Sequence, residues 1–382
     1  MAIGARTTYT DTTNQKRSIS DMINYIDPSD AGLLQRFGIA NQGRFRLLNW
    51  PSTKYEWLED AASSTATTLA EQADIAETEL DLTDGSLFKE GDILLCGTEL
   101  MYVSGVATNT VTVVRGFGGT TDALHLNGAA IEMVTIARLE GADWDVDHTT
   151  VTSAPYNYTQ IFSGAATVTG SEEVMSKYGY NDTMAYHLAK LMGGSNGQGT
   201  RFRAGKLPIA LQKTFYYGKR AVGSSSTSRA MGGFEQFVTT NVTDLSSAAL
   251  LRKNIEDLLQ RCSQAGGLPD TLICNAWPKR KISSMFEGTI STQRTETTGG
   301  SVINRIITDF GELDVVYDRL CPTDRLYVVD SAKLGWVEYR PFKVVDVTTS
   351  GDYTEKAIVG EYGFVVTNES AHGYIKGIST TS

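Results

Sequence analysis

Between Glu71 and Thr135 this chain places eleven acids (Glu71, Asp74, Glu77, Glu79, Asp81, Asp84, Glu90, Asp92, Glu99, Asp122, Glu132) against two bases, Lys89 and Arg115. That one stretch carries 2 − 11 = −9 of a net charge of −10. Inside it, candidate strands at Asp92–Leu95, Leu100–Val106 and Thr110–Arg115 are separated by Gly91, Gly97, Gly105 and the Gly116–Gly119 cluster. Short strands at that spacing predict a small barrel or sandwich. The flanks read as two arms of one extended structure, so an acidic β module is inserted into the tip of a long excursion. Such a layout suits a chain that presents something outward from a large surface, where like charge costs little.

The 382 residues are enough for a sizeable core spread over two or three subdomains. With 41% hydrophobic and 20% charged residues the chain is an ordinary folded one, and its Ser, Thr and Gly content favours strands, turns and loops over helical bundles. No apolar run approaches the roughly 18 residues of a membrane span. Met1-Ala-Ile-Gly-Ala-Arg-Thr-Thr has neither the charged nor the apolar part of a secretory signal, so cytoplasmic synthesis is expected. Cys96, Cys262, Cys274 and Cys321 lie far apart with no CxxC spacing and read as free buried thiols.

Residues 1–45 are polar and weakly patterned, as in an arm laid on a neighbouring molecule. Asn49–Asp60 alternates polar and aromatic residues like an exposed strand, and Asn157–Gly170 reads as a strand or strand pair. Thr169 and Glu172 have capping-box spacing and predict a helix with Val174, Tyr178, Ala185, Leu188 and Met192 on its apolar face. Gly193–Gly199 is too glycine-rich to remain helical. A second helix is predicted from Lys206 to about Arg220, with Leu207, Ala210, Leu211, Thr214 and Phe215 on one face. Ser246–Ala265 has the cleanest helical period, with Leu251, Ile255, Leu258, Leu259 and Cys262 inward and Gly266-Gly267 as its stop. Thr271–Asn275 reads as a strand and Pro278–Phe286 as a helix carrying the run Lys279-Arg-Lys281. Strands dominate from Leu313 onward: Asp314–Tyr317, Leu326–Val329, Gly335–Tyr339, Val344–Val347, Ala357–Tyr362 and Phe364–Asn368. The fold class is α+β.

Enzyme motifs fit poorly. Asp143, Asp145 and Asp147 begin like a calcium loop, but its sixth and twelfth positions are His148 and Ala154 where glycine and glutamate are needed. Gly199–Leu207 resembles a phosphate loop only at its end, with Leu207 in place of the magnesium-binding hydroxyl. Gly116-Phe-Gly-Gly119 follows a strand but opens no helix. His125, His148, His187 and His372 show no HxxxH or HxH spacing, and there is no GxSxG nucleophile elbow. No catalytic residue, metal or cofactor is expected.

Charge placement says more. The sequence pI near 5.0 argues against a nucleic-acid-binding protein of the usual kind, yet an average hides local patches. From Arg201 to Arg229 there are seven bases (Arg201, Arg203, Lys206, Lys213, Lys219, Arg220, Arg229) and no acid, interleaved with Phe215, Tyr216 and Tyr217. A solvated helix face would look like this, and so would a surface meeting phosphates without reading sequence.

Several segments carry a resemblance: Lys54-Tyr-Glu-Trp-Leu-Glu-Asp60, Asn157-Tyr-Thr-Gln-Ile-Phe162, Lys177-Tyr-Gly, Asp182-Thr-Met-Ala-Tyr-His-Leu-Ala-Lys190, Met231-Gly-Gly233 and Gly266-Gly-Leu-Pro269. In this order and spacing they resemble tailed-bacteriophage major capsid proteins with the Hong Kong 97-type fold. The glycine-flanked pattern from Gly91 to Thr120 is similar to the subgroup with a β-domain inserted in the extended loop. The resemblance covers about residues 45 to 380. It implies an N-terminal arm (1–45), extended-loop arms (46–70 and 136–156), the acidic insertion (71–135), a peripheral domain with a spine helix (157–244 and 336–382) and an axial domain (245–335). It further implies hexamers and pentamers of an icosahedral head made in a bacterial host, enclosing double-stranded DNA. Portal, scaffold and decoration proteins would be partners, and no membrane would be. The basic strip would face the DNA and the acidic insertion the exterior. Similar proteins run a longer helix where this chain has Gly193–Gly205, so a break is expected there. Lys54 lies in the extended loop, but nothing requires it to form a covalent cross-link. An encapsulin-type compartment of the same fold is the alternative, with a β-rich glycan-binding or hydrolytic protein behind it.

Overall fold

The computed structural model describes residues 32–37, 44–60, 64–138, 140–141, 152–193, 205–286 and 304–381. It divides into two compact units, Met1–Trp57 with Tyr156–Ser382, and Leu58–Pro155.

The larger unit holds two sheets. The first is ordered Arg46–Leu48, Leu334–Val347, Tyr353–Val366, Gln160–Thr169, the first pair parallel and the others antiparallel. Sequence pattern splits each of the two long strands in half, yet each runs unbroken for 14 residues. Bulges after Glu338 and Arg340 absorb Pro341, which cannot donate to a ladder. At Gly363 a Cβ would overlap the Tyr55 ring, so this glycine permits close packing and does not end the strand. The helices Thr183–Met192 and Lys206–Tyr217 bury Leu188, Met192, Leu207, Leu211 and Phe215 in the same core as Phe162, Trp336 and Phe364. Phe215 meets Phe364 edge-on with centroids 4.9 Å apart.

The expected first helix is interrupted. It runs Gly170–Val174, Thr169 gives no side-chain cap, and Val174 is left 87% exposed. Gly179, with φ 88°, turns the chain, and Asp182 Oδ1 starts a new helix by accepting from the Ala185 amide at 2.8 Å. Val174 and Tyr178 therefore do not share the buried face of Leu188. The break expected at Gly193–Gly205 is visible at both ends: the helix stops at Gly193 (φ 74°), and the next starts after Gly205 in extended conformation. A Cβ on Gly205 would collide with the Met192–Gly193 backbone, so the two ends lie side by side.

The second sheet is ordered Val242–Asp244, Gly373–Lys376, Leu326–Val329, Thr271–Cys274, Gly311–Tyr317, Arg305–Thr308. Its core includes Ile255, Leu258, Leu259 and Cys262 of the helix Arg252–Gln264. That helix begins six residues later than its period predicts, because Ser246 and Ser247 take left-handed φ values of 47° and 70°. It leaves Leu251 exposed and ends at Gly266 (φ 75°), with the Gly267 amide donating back to Cys262 O at 2.9 Å. Gln212 Nε2 donates to buried Asp318 Oδ2 at 2.6 Å, as does the Tyr216 hydroxyl, joining the Lys206–Tyr217 helix to the second sheet.

The smaller unit is an antiparallel sheet ordered Ala66–Thr68, Ala130–Ile136, Asp92–Cys96, Glu99–Ala107, Thr110–Val114, Glu79–Asp81. Leu80, Phe88, Leu94, Met101, Val103, Val111 and Ile131 fill its own core. Of the eleven acids between Glu71 and Thr135 only Asp92 and Glu99 are buried, and Glu77 and Asp81 are half-buried. The other seven face solvent.

Candidate functional site

The base of the excursion is a two-stranded ribbon, Lys54–Glu56 against Tyr156–Tyr158, continued by a bridge between Glu59 and Ser153. Buried side chains pin the ribbon to the first sheet. The Tyr55 hydroxyl accepts from the Phe364 amide at 2.8 Å and donates to its carbonyl at 3.0 Å. Asn157 Nδ2 donates to the same carbonyl (2.8 Å) and to Gly232 O (3.1 Å), while its Oδ1 accepts from the Gly232 amide (2.8 Å). One step along, the Thr159 hydroxyl donates to buried Glu361 at 2.5 Å. Burial alone would raise the Glu361 pKa, but Thr159, Arg229 and Arg340 hold it below the usual carboxylate range. Side-chain hydrogen bonds from Tyr55, Asn157 and Thr159 thus hold the ribbon to the first sheet.

The basic strip separates into two groups. Lys206, Lys213 and Lys219 are exposed, and Lys206 and Lys213 lie two turns apart on one helix face, with exposed Tyr217 a turn further on. Arg220 instead donates to Tyr156 O at 2.7 Å, with its guanidinium 3.9 Å from the Tyr156 ring centroid. Arg229 donates from Nε to Thr159 O at 2.9 Å and pairs with Glu361. These two arginines work inside the fold, so reading all seven bases as one free strip needs correcting: a buried carboxylate and an aromatic face take two of them. Arg201 and Arg203 lie outside the described residues, as do the acids Asp143, Asp145 and Asp147.

Among the described residues no group of three His, Cys, Asp or Glu could hold a metal ion. His125 is spent on Glu99 (2.9 Å), and His372 is fully buried, its pKa lowered by that burial to about 4. All four thiols are free and buried, and burial pushes those of Cys262 and Cys274 up to about 11 and about 12. The segments that carry the resemblance are structural. Lys177 Nζ donates to Thr183 Oγ1 at 2.6 Å and pairs with Glu172, Met231 is fully buried, and Gly266 ends a helix. The Glu361 cluster leaves no local pattern along the chain, because its partners lie as many as 202 residues apart.

A family model of the SU10 major capsid protein matches residues 6–379. The chain belongs to the SU10 major capsid protein family. As a major capsid protein it is a virion structural component of a bacteriophage, assembling with copies of itself into a capsid lattice. Its Hong Kong 97-type fold is shared with solved structures at very low identity. It is 10% identical to a chain of the Cyanophage A-1(L) capsid asymmetric unit, with TM-score 0.63 over 98% of this chain and 100% of that one. Against the capsid of an empty GTA particle the values are 11%, 0.54, 98% and 99%. Against Microbacterium phage Oxtober96 they are 9%, 0.50, 97% and 98%. No curated protein matches the capsid protein's sequence. Among its described residues no helix is long and apolar enough to cross a membrane.

Proposed function

We propose that this capsid protein forms the hexamers and pentamers of a phage head enclosing double-stranded DNA. Assembly takes place in the bacterial host cytoplasm, with portal, scaffold and decoration proteins as partners. The family match along residues 6–379 carries this reading. Expressed alone or with a scaffold, the chain should form closed particles of head size in negative-stain microscopy. A stable monomer on size-exclusion chromatography under both conditions would overturn the reading.

Within that head, Lys206, Lys213 and Lys219 belong to the surface that meets the packaged DNA, together with Arg201 and Arg203 of the same acid-free stretch. Exposed lysines on an acid-free stretch of chain neutralise phosphates without reading bases. Replacing the three lysines by glutamine should reduce the slope of log affinity against log salt for random duplex DNA by about 2.7, roughly 0.9 per phosphate contact. An unchanged slope rules these lysines out.

A further inference from the structure

The helix Ala276–Phe286 carries three bases and no acid. Trp277, Arg280, Lys281 and Ser284 fall at i, i+3, i+4 and i+7 and line one side of a cleft of about 410 Å³, completed by Thr380 and Thr381. The helix wall is fixed, and the C-terminal segment is anchored up to Ser379. Pro278 and Ile282 are buried and Met285 packs on the core of the second sheet, so the helix cannot roll. Asn275 Oδ1 caps its first turn, accepting from the Ala276 amide at 2.6 Å. The C-terminal segment is held by Ile378 N to Asp324 O and Ser379 N to Ala248 O, each 3.0 Å.

Lys279 turns away, donating to Asn304 Oδ1 (3.3 Å) and Val315 O (3.4 Å). Arg280 and Lys281 are therefore the cations of the cleft. Among the described residues no carboxylate lines it. Trp277 packs partly on the core of the second sheet and turns its remaining surface to the cleft. A bare anion would not use that surface, and an apolar ligand would cover two cations without pairing them. A ligand with a planar ring beside an anion uses every described lining residue. We propose that this cleft binds one nucleotide unit. Trp277 stacks on the base, Arg280 and Lys281 take the phosphate, and the three hydroxyls meet the sugar and base edge. The volume is in the range of small-ligand sites, roughly 300–1,000 Å³. Free nucleotides and single-stranded nucleic acid both supply such a unit, whereas duplex DNA keeps its bases stacked inside. The cleft shares no residue with the lysines of the DNA-meeting surface, so the two readings fail separately.

The test is a titration of the full-length unassembled protein with ATP, with a dT octamer and with inorganic phosphate, followed by calorimetry. Saturable binding of ATP or of the octamer is expected, and whichever binds tighter identifies the source. Phosphate should bind at least tenfold more weakly than either. Arg280→Ala with Lys281→Ala, two substitutions at a solvent-facing turn, should weaken binding at least tenfold. Trp277→Ala should weaken it about 5- to 150-fold. The proposal is overturned by absence of binding at millimolar ligand, by phosphate or a poly-glutamate peptide binding as tightly as the nucleotides, or by the double variant binding like the parent.

Discussion

Arg115→Met tests what holds the acidic module together. The fully buried Glu99 carboxylate accepts from Arg115 Nε (2.6 Å) and Nη2 (2.8 Å) and from the amides of Ala123 (3.0 Å) and Gly116 (3.3 Å). His125 Nε2 lies 2.9 Å away. The same guanidinium donates to the carbonyls of Asp74 (2.8 Å), Glu77 (3.0 Å) and Ala123 (2.6 Å), so one side chain gathers two loop segments onto the sheet. Burial by itself would raise the Glu99 pKa, but Arg115, then Ala123, His125 and Gly116, outweigh it and bring it from an ordinary 4.5 to about 2. A carboxylate with a depressed pKa stabilises the fold above its unfolded value and loses that contribution as pH falls from about 4.5 toward 2. The gap corresponds to roughly 3 kcal/mol. Removing one partner of a buried ion pair costs about 3–5 kcal/mol, a similar amount. Hydrogen exchange on the intact chain reads it locally. Amides of Asp92–Cys96 and Glu99–Ala107 should exchange about 10²–10³-fold faster in Arg115→Met, while those of Lys206–Tyr217 keep their rates, since the two segments belong to different cores. Glu99→Gln added to Arg115→Met should restore part of the protection, because no unpaired charge remains buried. Less than a tenfold change in the module, or equal acceleration in both segments, would refute the reasoning.

Two further perturbations probe the larger unit. Burial keeps His372 neutral with a pKa of about 4, so the unfolded chain takes up its proton first as pH falls below about 6.5. This residue should contribute about 2 kcal/mol of lost stability between pH 7 and pH 5. Urea unfolding at both pH values should show that extra loss in the parent and not in His372→Gln; identical losses would count against it. Tyr55→Phe strips the hydroxyl from the buried Phe364 peptide group, which should cost about 1–3 kcal/mol in urea unfolding. An unchanged midpoint would mean that another group takes over those hydrogen bonds.

Local chemistry explains which expectations held. The strand Leu326–Val329 and the helix starting at Lys206 lie where their residue patterns place them, because period and burial agree along one short segment. The expected helical face through Val174 and Tyr178 failed because Asp182 offers a better cap and Gly179 a turn, and a period count across Asn181 cannot weigh either. Pro341 and Gly363 look like strand ends in the sequence, but bulges and a packed tyrosine make them interior positions of long strands.

The amino-acid sequence by itself determined the α+β class, the family resemblance, the concentration of acid between Glu71 and Thr135 and the acid-free run from Arg201 to Arg229. All of these are sums or orders along the chain. Tertiary structure alone decided which charges are free. It buried Glu99 with Arg115, took Arg229 for Glu361 and Arg220 for Tyr156, and left Lys206, Lys213 and Lys219 in solvent. The physical reason is that a charge is neutralised by what lies within a few ångströms, and those neighbours come from strands tens to hundreds of residues away.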